Sequence, residues 1–154
     1  MSKISFYQVM NGEVIKFSCQ LLEKCFQNQI HTFVQVIDEI SATKLDRALW
    51  TFAQKSFIPH AMETDPMPSM QPIYISSNDK CPIDAKGLML IGVDRLDVKD
   101  FERVMVMLDG TLVYEVKKAA NLMESFKDLG HEVEYYLQNS KGTWSVRHGN
   151  DTKF

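Results

Sequence analysis

Residues 88–110 read LMLIGVDRLDVKDFERVMVMLDG and contain two apolar runs, Leu88 to Val93 and Arg103 to Leu108. Runs with so few polar interruptions are typical of strands covered on both faces, as in a parallel sheet between helices. The Asp109-Gly110 pair after the second run predicts a turn. The two runs therefore indicate the centre of a largely parallel sheet.

Strand and helix patterns alternate along the rest of the chain. Further strands are predicted at Ile4–Val9, Thr32–Ile37, Ile73–Ser76 and Glu132–Leu137, with a short strand or extended edge at Phe57–Ala61 and a tail strand at Thr143–Val146. Amphipathic helices are predicted at Glu13–Asn28, after an N-cap at Ser41, and at Val113–Leu129. This order predicts an α/β fold: one Rossmann-like domain over residues 1–154, with an open, largely parallel sheet closed by Glu132–Leu137 and helices on both faces.

The last long helix is expected to pack on the sheet through one apolar stripe. Its members recur at helical spacing and are Val116, Ala119, Ala120, Met123 and Phe126. Gly130 follows as a predicted helix C-cap.

Composition and charge exclude several classes of protein. The chain has 154 residues, 45% apolar and 24% charged, with a net charge of −3. No apolar run reaches the roughly 20 residues that span a bilayer, and the start of the chain lacks the pattern of a signal peptide. We therefore expect a cytoplasmic protein. The acidic balance argues against direct nucleic-acid binding, which usually requires a basic face.

The cysteines and histidines form no metal-binding or catalytic pattern. Three cysteines without a CxxC pair argue against a disulfide framework or a zinc site, and Cys19 and Cys25 are expected in the core. A Cys81–His60 nucleophile and base pair has no support in its spacing. Asp94, Asp97 and Asp100 recur every three residues without the spacing of a calcium loop, and a solvated loop is favoured. We expect no metal and no cofactor.

Nucleotide-binding motifs are absent from the sequence. There is no GxxxxGK[ST] loop (no P-loop), and Asn11-Gly12 after the first strand predicts a simple turn rather than a GxGxxG loop. Asp109 ends a strand where α/β enzymes place functional groups, although a turn-forming role is favoured. A small nucleotide-dependent enzyme therefore stays open as an alternative.

Trp50 points away from the predicted core. Leu45, Ala48, Leu49 and Phe52 have the spacing of a buried helix stripe, and Trp50 lies about 150° from its centre. Because tryptophan is enriched among interface hot spots, this position is a candidate partner site.

Four ordered blocks resemble the chi subunits of bacterial DNA polymerase III, in particular those of alphaproteobacterial type. The blocks are FYQV (Phe6 to Val9), LDRALWTF-x4-FIPH (Leu45 to His60), ERVMVMLDG (Glu102 to Gly110) and GHEVEYYLQNSKGTW (Gly130 to Trp144). The resemblance implies a Rossmann-like domain without catalysis that acts as a replisome adaptor. Its partners would be the psi subunit of the clamp loader, or an accessory helicase at the same surface, and the C-terminal tail of single-stranded DNA-binding protein.

The resemblance also implies which residues bind these partners. The psi or helicase surface would include Trp50 and Phe57, with Pro59 and His60 from the same block and with Arg47 as a cation–π neighbour of Trp50. The tail site would lie on the last long helix. There the family's arginine and aromatic positions are Ala120 and Met123, so Lys117, Lys118 and Lys127 would supply the charge and Met123 the pocket wall.

Overall fold

In the part of the chain that the structure describes, the fold consists of one eight-stranded sheet and three helices. The computed structural model describes residues 2–10, 13–52, 58–62, 72–81 and 84–147. The strands are β1 (Lys3–Val9), β2 (Thr32–Val36), β3 (Ala61–Met62), β4 (Ile73–Ser76), β5 (Gly87–Ile91), β6 (Arg103–Asp109), β7 (Glu132–Gln138) and β8 (Trp144–Arg147). The helices are α1 (Val14–Gln27), α2 (Glu39–Thr51) and α3 (Val113–Asp128).

The sheet is open and almost entirely parallel. Its strand order is β3-β4-β2-β5-β6-β1-β7-β8, and β7–β8 is the one antiparallel pair among the described strands. The two apolar runs form β5 and β6, which lie side by side near the centre and are covered on both faces. The predicted α/β class and parallel sheet are confirmed.

Two cores lie on opposite faces of the sheet. Alternate strand residues pack with α3 on one face and with α1 and α2 on the other. Cys19 and Cys25 are buried in the second core, as predicted. Helices on both faces bury the central strands completely, which explains their unbroken apolar sequence.

The start of α2 differs from the prediction. The N-cap is Asp38 rather than Ser41, because the extended Asp38 places its Oδ1 2.8 Å from the Ser41 amide, which donates to it. This backbone hydrogen bond lowers the pKa of Asp38. An aspartate accepts such a bond as well as a serine does, so α2 begins three residues earlier than it would from a Ser41 cap.

Two strand predictions also need correction. The strand predicted at Phe57–Ala61 has the wrong bounds. The strand observed there, β3, is Ala61–Met62, and Ile58 to His60 are not paired with another strand. The tail strand predicted at Thr143–Val146 is confirmed as β8, which pairs with β7 from Tyr135 to Gln138, so the sheet ends at β8 rather than at Glu132–Leu137.

The buried stripe of α3 is rotated from the predicted one. The buried residues are Ala119, Leu122, Met123 and Phe126. Leu122 replaces Ala120, which is only half-buried, because the larger side chain faces the sheet. Gly130 follows the helix with φ 87°, as expected of a residue that ends a helix in the left-handed region.

Adjacent strands β1 and β6 send their chains to opposite faces. β1 leads into α1 on one face, and β6 leads into α3 on the other. In open α/β sheets this arrangement creates a crevice at the carboxyl ends of the two strands, where ligands usually bind.

Candidate partner-binding site

Helix α2 exposes Trp50 because its apolar stripe lies elsewhere on the helix. Ala42, Leu45 and Leu49 are buried against the sheet, whereas Trp50 is 58% exposed. The predicted outward position of Trp50 is therefore confirmed. A large aromatic surface left in water has a free-energy cost that a partner could remove.

The Trp50 ring rests on His60. The two ring centroids are 4.9 Å apart and the planes are inclined by 57°. The His60 side chain is only 1% exposed, so it lies beneath the tryptophan and is closed off from solvent. The helix and the segment before β3 therefore meet at this ring pair.

His60 is held by both of its ring nitrogens. Nδ1 lies 2.8 Å from the Ile58 carbonyl oxygen, and Nε2 lies 2.9 Å from Oδ1 of Asp46. The second contact fastens residues 58–60 to α2 one turn before Trp50. Because both nitrogens are engaged, the structure gives no support to His60 as a base for Cys81.

Two other residues predicted for this surface lie among the described residues, and one does not. Arg47 is exposed on α2 and Pro59 is half-buried beside His60. Phe57 falls within residues 53–57, outside the described part of the chain. The cation–π contact of Arg47 with Trp50 stays a prediction.

The lysines predicted for the second site lie on α3, although two of them are paired. Lys117 is exposed, Lys118 Nζ lies 3.4 Å from Asp94, and Lys127 Nζ lies 3.8 Å from Glu124. An acidic peptide would have to compete with these two carboxylates. Asp94 thus forms an ion pair at the surface, in agreement with the favoured solvated role.

Met123 is in the core rather than on the surface. It is 4% exposed and packs with Phe126 and Leu122 beneath α3. A partner could contact Met123 only after neighbouring side chains move. The Ala120 position is half-buried and offers only a methyl group.

The protein's own side chains crowd the carboxyl ends of β1, β6 and β7. Tyr135 Oη donates to Gln8 Oε1 at 2.6 Å, and the Met10 amide donates to Gln138 Oε1 at 2.8 Å. A Cβ placed on Gly110 would lie 2.5 Å from the Met10 sulfur and 2.7 Å from Gln8 Cγ. These contacts leave little room for a phosphate where this fold class usually holds one.

Asp109 has a structural role at the same crevice. Its Oδ1 accepts from the Thr111 amide at 2.9 Å and from the Thr111 hydroxyl at 2.6 Å. Its own amide donates to Glu115 Oε2 at 2.9 Å. These bonds form the turn that the Asp-Gly sequence predicts and join β6 to α3.

Sequence reasoning missed Asp46 and an aromatic cluster on the uncovered part of the sheet. Asp46 lies four residues before Trp50, and this helical spacing was the available signal. Phe17 of α1 stacks on Trp144 at 4.6 Å, and Tyr7 stacks on Tyr136 at 5.0 Å. The cluster joins α1 to β8. No local sequence pattern predicts it, because its rings come from four different elements.

The described residues contain neither a metal-binding cluster nor a helix that could span a membrane. Within the described residues, no group of three or more histidine, cysteine or acidic side chains could hold a metal ion. Over the same part of the chain, every helix is too short or too polar to cross a membrane.

The fold is a Rossmann-like α/β domain. Its own side chains crowd the crevice where such folds usually bind ligands, and an exposed tryptophan packs on a hydrogen-bonded histidine. The family model described as "DNA polymerase III chi subunit, HolC" matches residues 1–134. The chain belongs to this family, whose members are accessory subunits of a bacterial DNA polymerase.

Curated relatives agree with this assignment. A protein of Rickettsia prowazekii (strain Madrid E) named "Probable DNA polymerase III subunit chi" is 29% identical over 153 residues, covering 94% of this chain and 92% of its own. A Pseudomonas aeruginosa protein named "DNA polymerase III subunit chi" is 28% identical over 65 residues, covering 40% of this chain and 46% of its own. A role as an accessory subunit in DNA replication follows.

Proposed function

We propose that this chain is a non-catalytic adaptor that links the clamp loader of DNA polymerase III, through the psi subunit, to single-stranded DNA-binding protein. The observation that carries the proposal is Trp50, which is exposed on α2 and supported from below by His60. A rigid aromatic side chain that protrudes from a helix is typical of an interface hot spot. Cytoplasmic residence and the absence of a cofactor belong to the same proposal.

The psi surface is tested by removing its aromatic side chains. We expect Trp50→Ala and Phe57→Ala each to weaken psi binding by about 2 kcal/mol or more, as truncation of a hot spot does. Isothermal titration calorimetry with the psi subunit of the same organism measures this change. Tyr114→Ala is the matched control, because Tyr114 is 61% exposed on α3 and lies outside the proposed surface.

Unchanged affinity in both Trp50→Ala and Phe57→Ala would contradict the proposal that psi binds this surface. The accessory helicase is proposed to bind the same residues, so psi and helicase should compete for the chain. A ternary complex of the three proteins in gel filtration would contradict a shared surface. Arg47, Pro59 and His60 complete the proposed surface or its base.

The second part of the proposal places the tail of single-stranded DNA-binding protein on α3. Lys117, Lys118 and Lys127 offer cations on one helix, and an acidic tail with a free carboxylate needs such charges. We expect the double change Lys117→Glu and Lys118→Glu to abolish binding of a labelled tail peptide in fluorescence anisotropy. The matched control reverses Lys16 and Lys24, which are exposed on α1 across the sheet. Equal loss in both variants would indicate a general charge effect and would contradict a tail site on α3.

The rival hypothesis is a small nucleotide-dependent enzyme. The crevice filled by Gln8, Met10 and Gln138 argues against it. Saturable binding of ATP or GTP by the isolated chain would favour the enzyme. Retention of single-stranded DNA by the chain alone would contradict the expectation that it contacts nucleic acid only through other proteins.

A further inference from the structure

We propose that His60 and Asp46 are positioning residues for the partner surface: a buried imidazolium held between Asp46 and the Ile58 carbonyl fixes the ring of Trp50. The inference rests on the proposed function for its binding consequence. Its structural part concerns the free protein and can be tested without any partner.

Both hydrogen bonds of His60 are satisfied when each ring nitrogen carries a hydrogen. A backbone carbonyl oxygen and a carboxylate both accept, and neither donates. With Nδ1 2.8 Å from the Ile58 oxygen and Nε2 2.9 Å from Asp46, the imidazolium satisfies both contacts at once. A neutral imidazole carries one hydrogen and would leave one of the two contacts without a donor.

Asp46 supplies the charge that such a buried cation needs. A buried charge is costly unless it is paired and hydrogen-bonded. Asp46 faces the ring from α2, and its side chain is 24% exposed, so it keeps part of its hydration. The neighbouring strands β3 and β4 contain no charged residue, and the adjacent Arg47 is exposed on the helix.

The imidazolium in turn holds the indole ring. The centroid distance of 4.9 Å is within the roughly 6 Å over which a cation and an indole ring attract each other. Trp50 therefore has a partner on its inner side while its outer side stays open to another protein. The ring is kept in one orientation before the partner arrives.

Preorganisation predicts a measurable gain in affinity. Immobilising one large side chain on binding costs about 0.5–1.5 kcal/mol, which corresponds to a factor of roughly two to ten in affinity. We expect loss of the His60–Asp46 pair to weaken psi binding by about that factor. Trp50→Ala should cost more, because it removes the contact itself.

The decisive variant is Asp46→Asn in a Trp144→Phe background, which leaves Trp50 as the single tryptophan because the chain has 2. Asparagine keeps the size of the side chain and can donate to a neutral Nε2, so the hydrogen bond survives while the need for a cation disappears. His60→Gln keeps a donor near Asp46 and removes the ring. Asp128→Asn, at the end of α3, is the matched control.

The first readout is the free protein at pH 7. Nitrogen–proton correlation spectra of the imidazole rings should show hydrogens on both nitrogens of His60, and Asp46→Asn should remove one of them. Because an imidazolium quenches indole fluorescence more strongly than imidazole does, Asp46→Asn and His60→Gln should brighten Trp50 and lower its anisotropy. A single ring hydrogen on His60, or unchanged emission in both variants, would overturn the proposal.

The second readout is psi affinity in a double-mutant cycle. Asp46→Asn should weaken binding two- to tenfold, and should have no further effect once Trp50 is alanine. Equal losses with and without Trp50 would overturn a role through the tryptophan. If Trp50→Ala itself leaves affinity unchanged, the proposed psi surface fails, whereas the spectra of the free protein still decide whether His60 fixes the ring.

Discussion

The hydroxyl of Tyr135 on β7 donates to Oε1 of Gln8 on β1 at 2.6 Å and so joins these two neighbouring strands near their carboxyl ends. Tyr135 is buried on the face covered by α3, and Gln8 reaches Gly110 on the neighbouring strand. The protein thus uses side chains to close the crevice that related folds leave open for ligands. The surface around Trp50 is therefore a stronger candidate for a binding site than this crevice.

Crowding at this crevice predicts that Gly110→Ala is destabilising. The new Cβ would lie within 3 Å of Met10 and Gln8 atoms, so side chains must shift at a cost of about 1–3 kcal/mol. Urea denaturation measures the loss. Adding Met10→Ala should recover part of it, because the 2.5 Å contact with the sulfur disappears. Strictly additive losses would contradict steric crowding as the cause.

The partly buried carboxyl group of Glu115 is expected to make the free energy of unfolding depend on pH. Partial burial raises its pKa and the Asp109 carboxylate adds to this, although the hydrogen bond from the Asp109 amide opposes them. A raised pKa means that the fold favours the protonated form, so Glu115 lowers stability as pH rises through its pKa. We expect Glu115→Gln to be more stable than the wild type at pH 7.

The advantage of Glu115→Gln should vanish below about pH 4, where the wild-type carboxyl group is also neutral. Denaturation midpoints at the two pH values measure it. Glu132→Gln, on an exposed strand position, makes the same change in charge and serves as the control. An advantage that grows as pH falls would contradict the assignment.

Two of the three thiols should resist modification in the folded protein. Burial raises the pKa of Cys19 to about 11 and also raises that of Cys25, so both remain protonated and covered at pH 8. Because the thiolate is the reactive species, Ellman's reagent should react with them only after unfolding. The Cys81→Ser variant isolates these two thiols, and fast labelling of that variant under native conditions would contradict their burial.

Trp144 should contribute strongly to stability although it lies near the end of the described chain. Its ring stacks on Phe17 and meets Tyr7 edge-on at 6.0 Å. Because the ring is half-buried, we expect Trp144→Ala to cost about 2 kcal/mol, less than a fully buried tryptophan. Val146→Ala, 44% exposed on the same strand, should cost well under 1 kcal/mol. Similar losses in the two variants would show that strand β8 matters and the aromatic contact does not.

Apolar patterning predicted most of the fold correctly. The bounds of β4 and the core roles of β5 and β6 follow from local sequence, because a strand covered on both faces must be apolar throughout. The errors concern the residue at which a helix begins and the side of a helix that is buried. Asp38 took the cap expected of Ser41, and Leu122 took the core position expected of Ala120, because several residues satisfied the same local rule and packing selected one.

The sequence by itself determined the α/β class, the family resemblance and the outward direction of Trp50. These depend on periodicity and on ordered motifs, which are local properties of the chain. Only the tertiary structure decided that His60 lies beneath Trp50, that Asp46 holds it, and that Gln8 and Tyr135 close the crevice. Those contacts join residues separated by 10, 14 and 127 positions, so they exist only after the sheet and helices have packed.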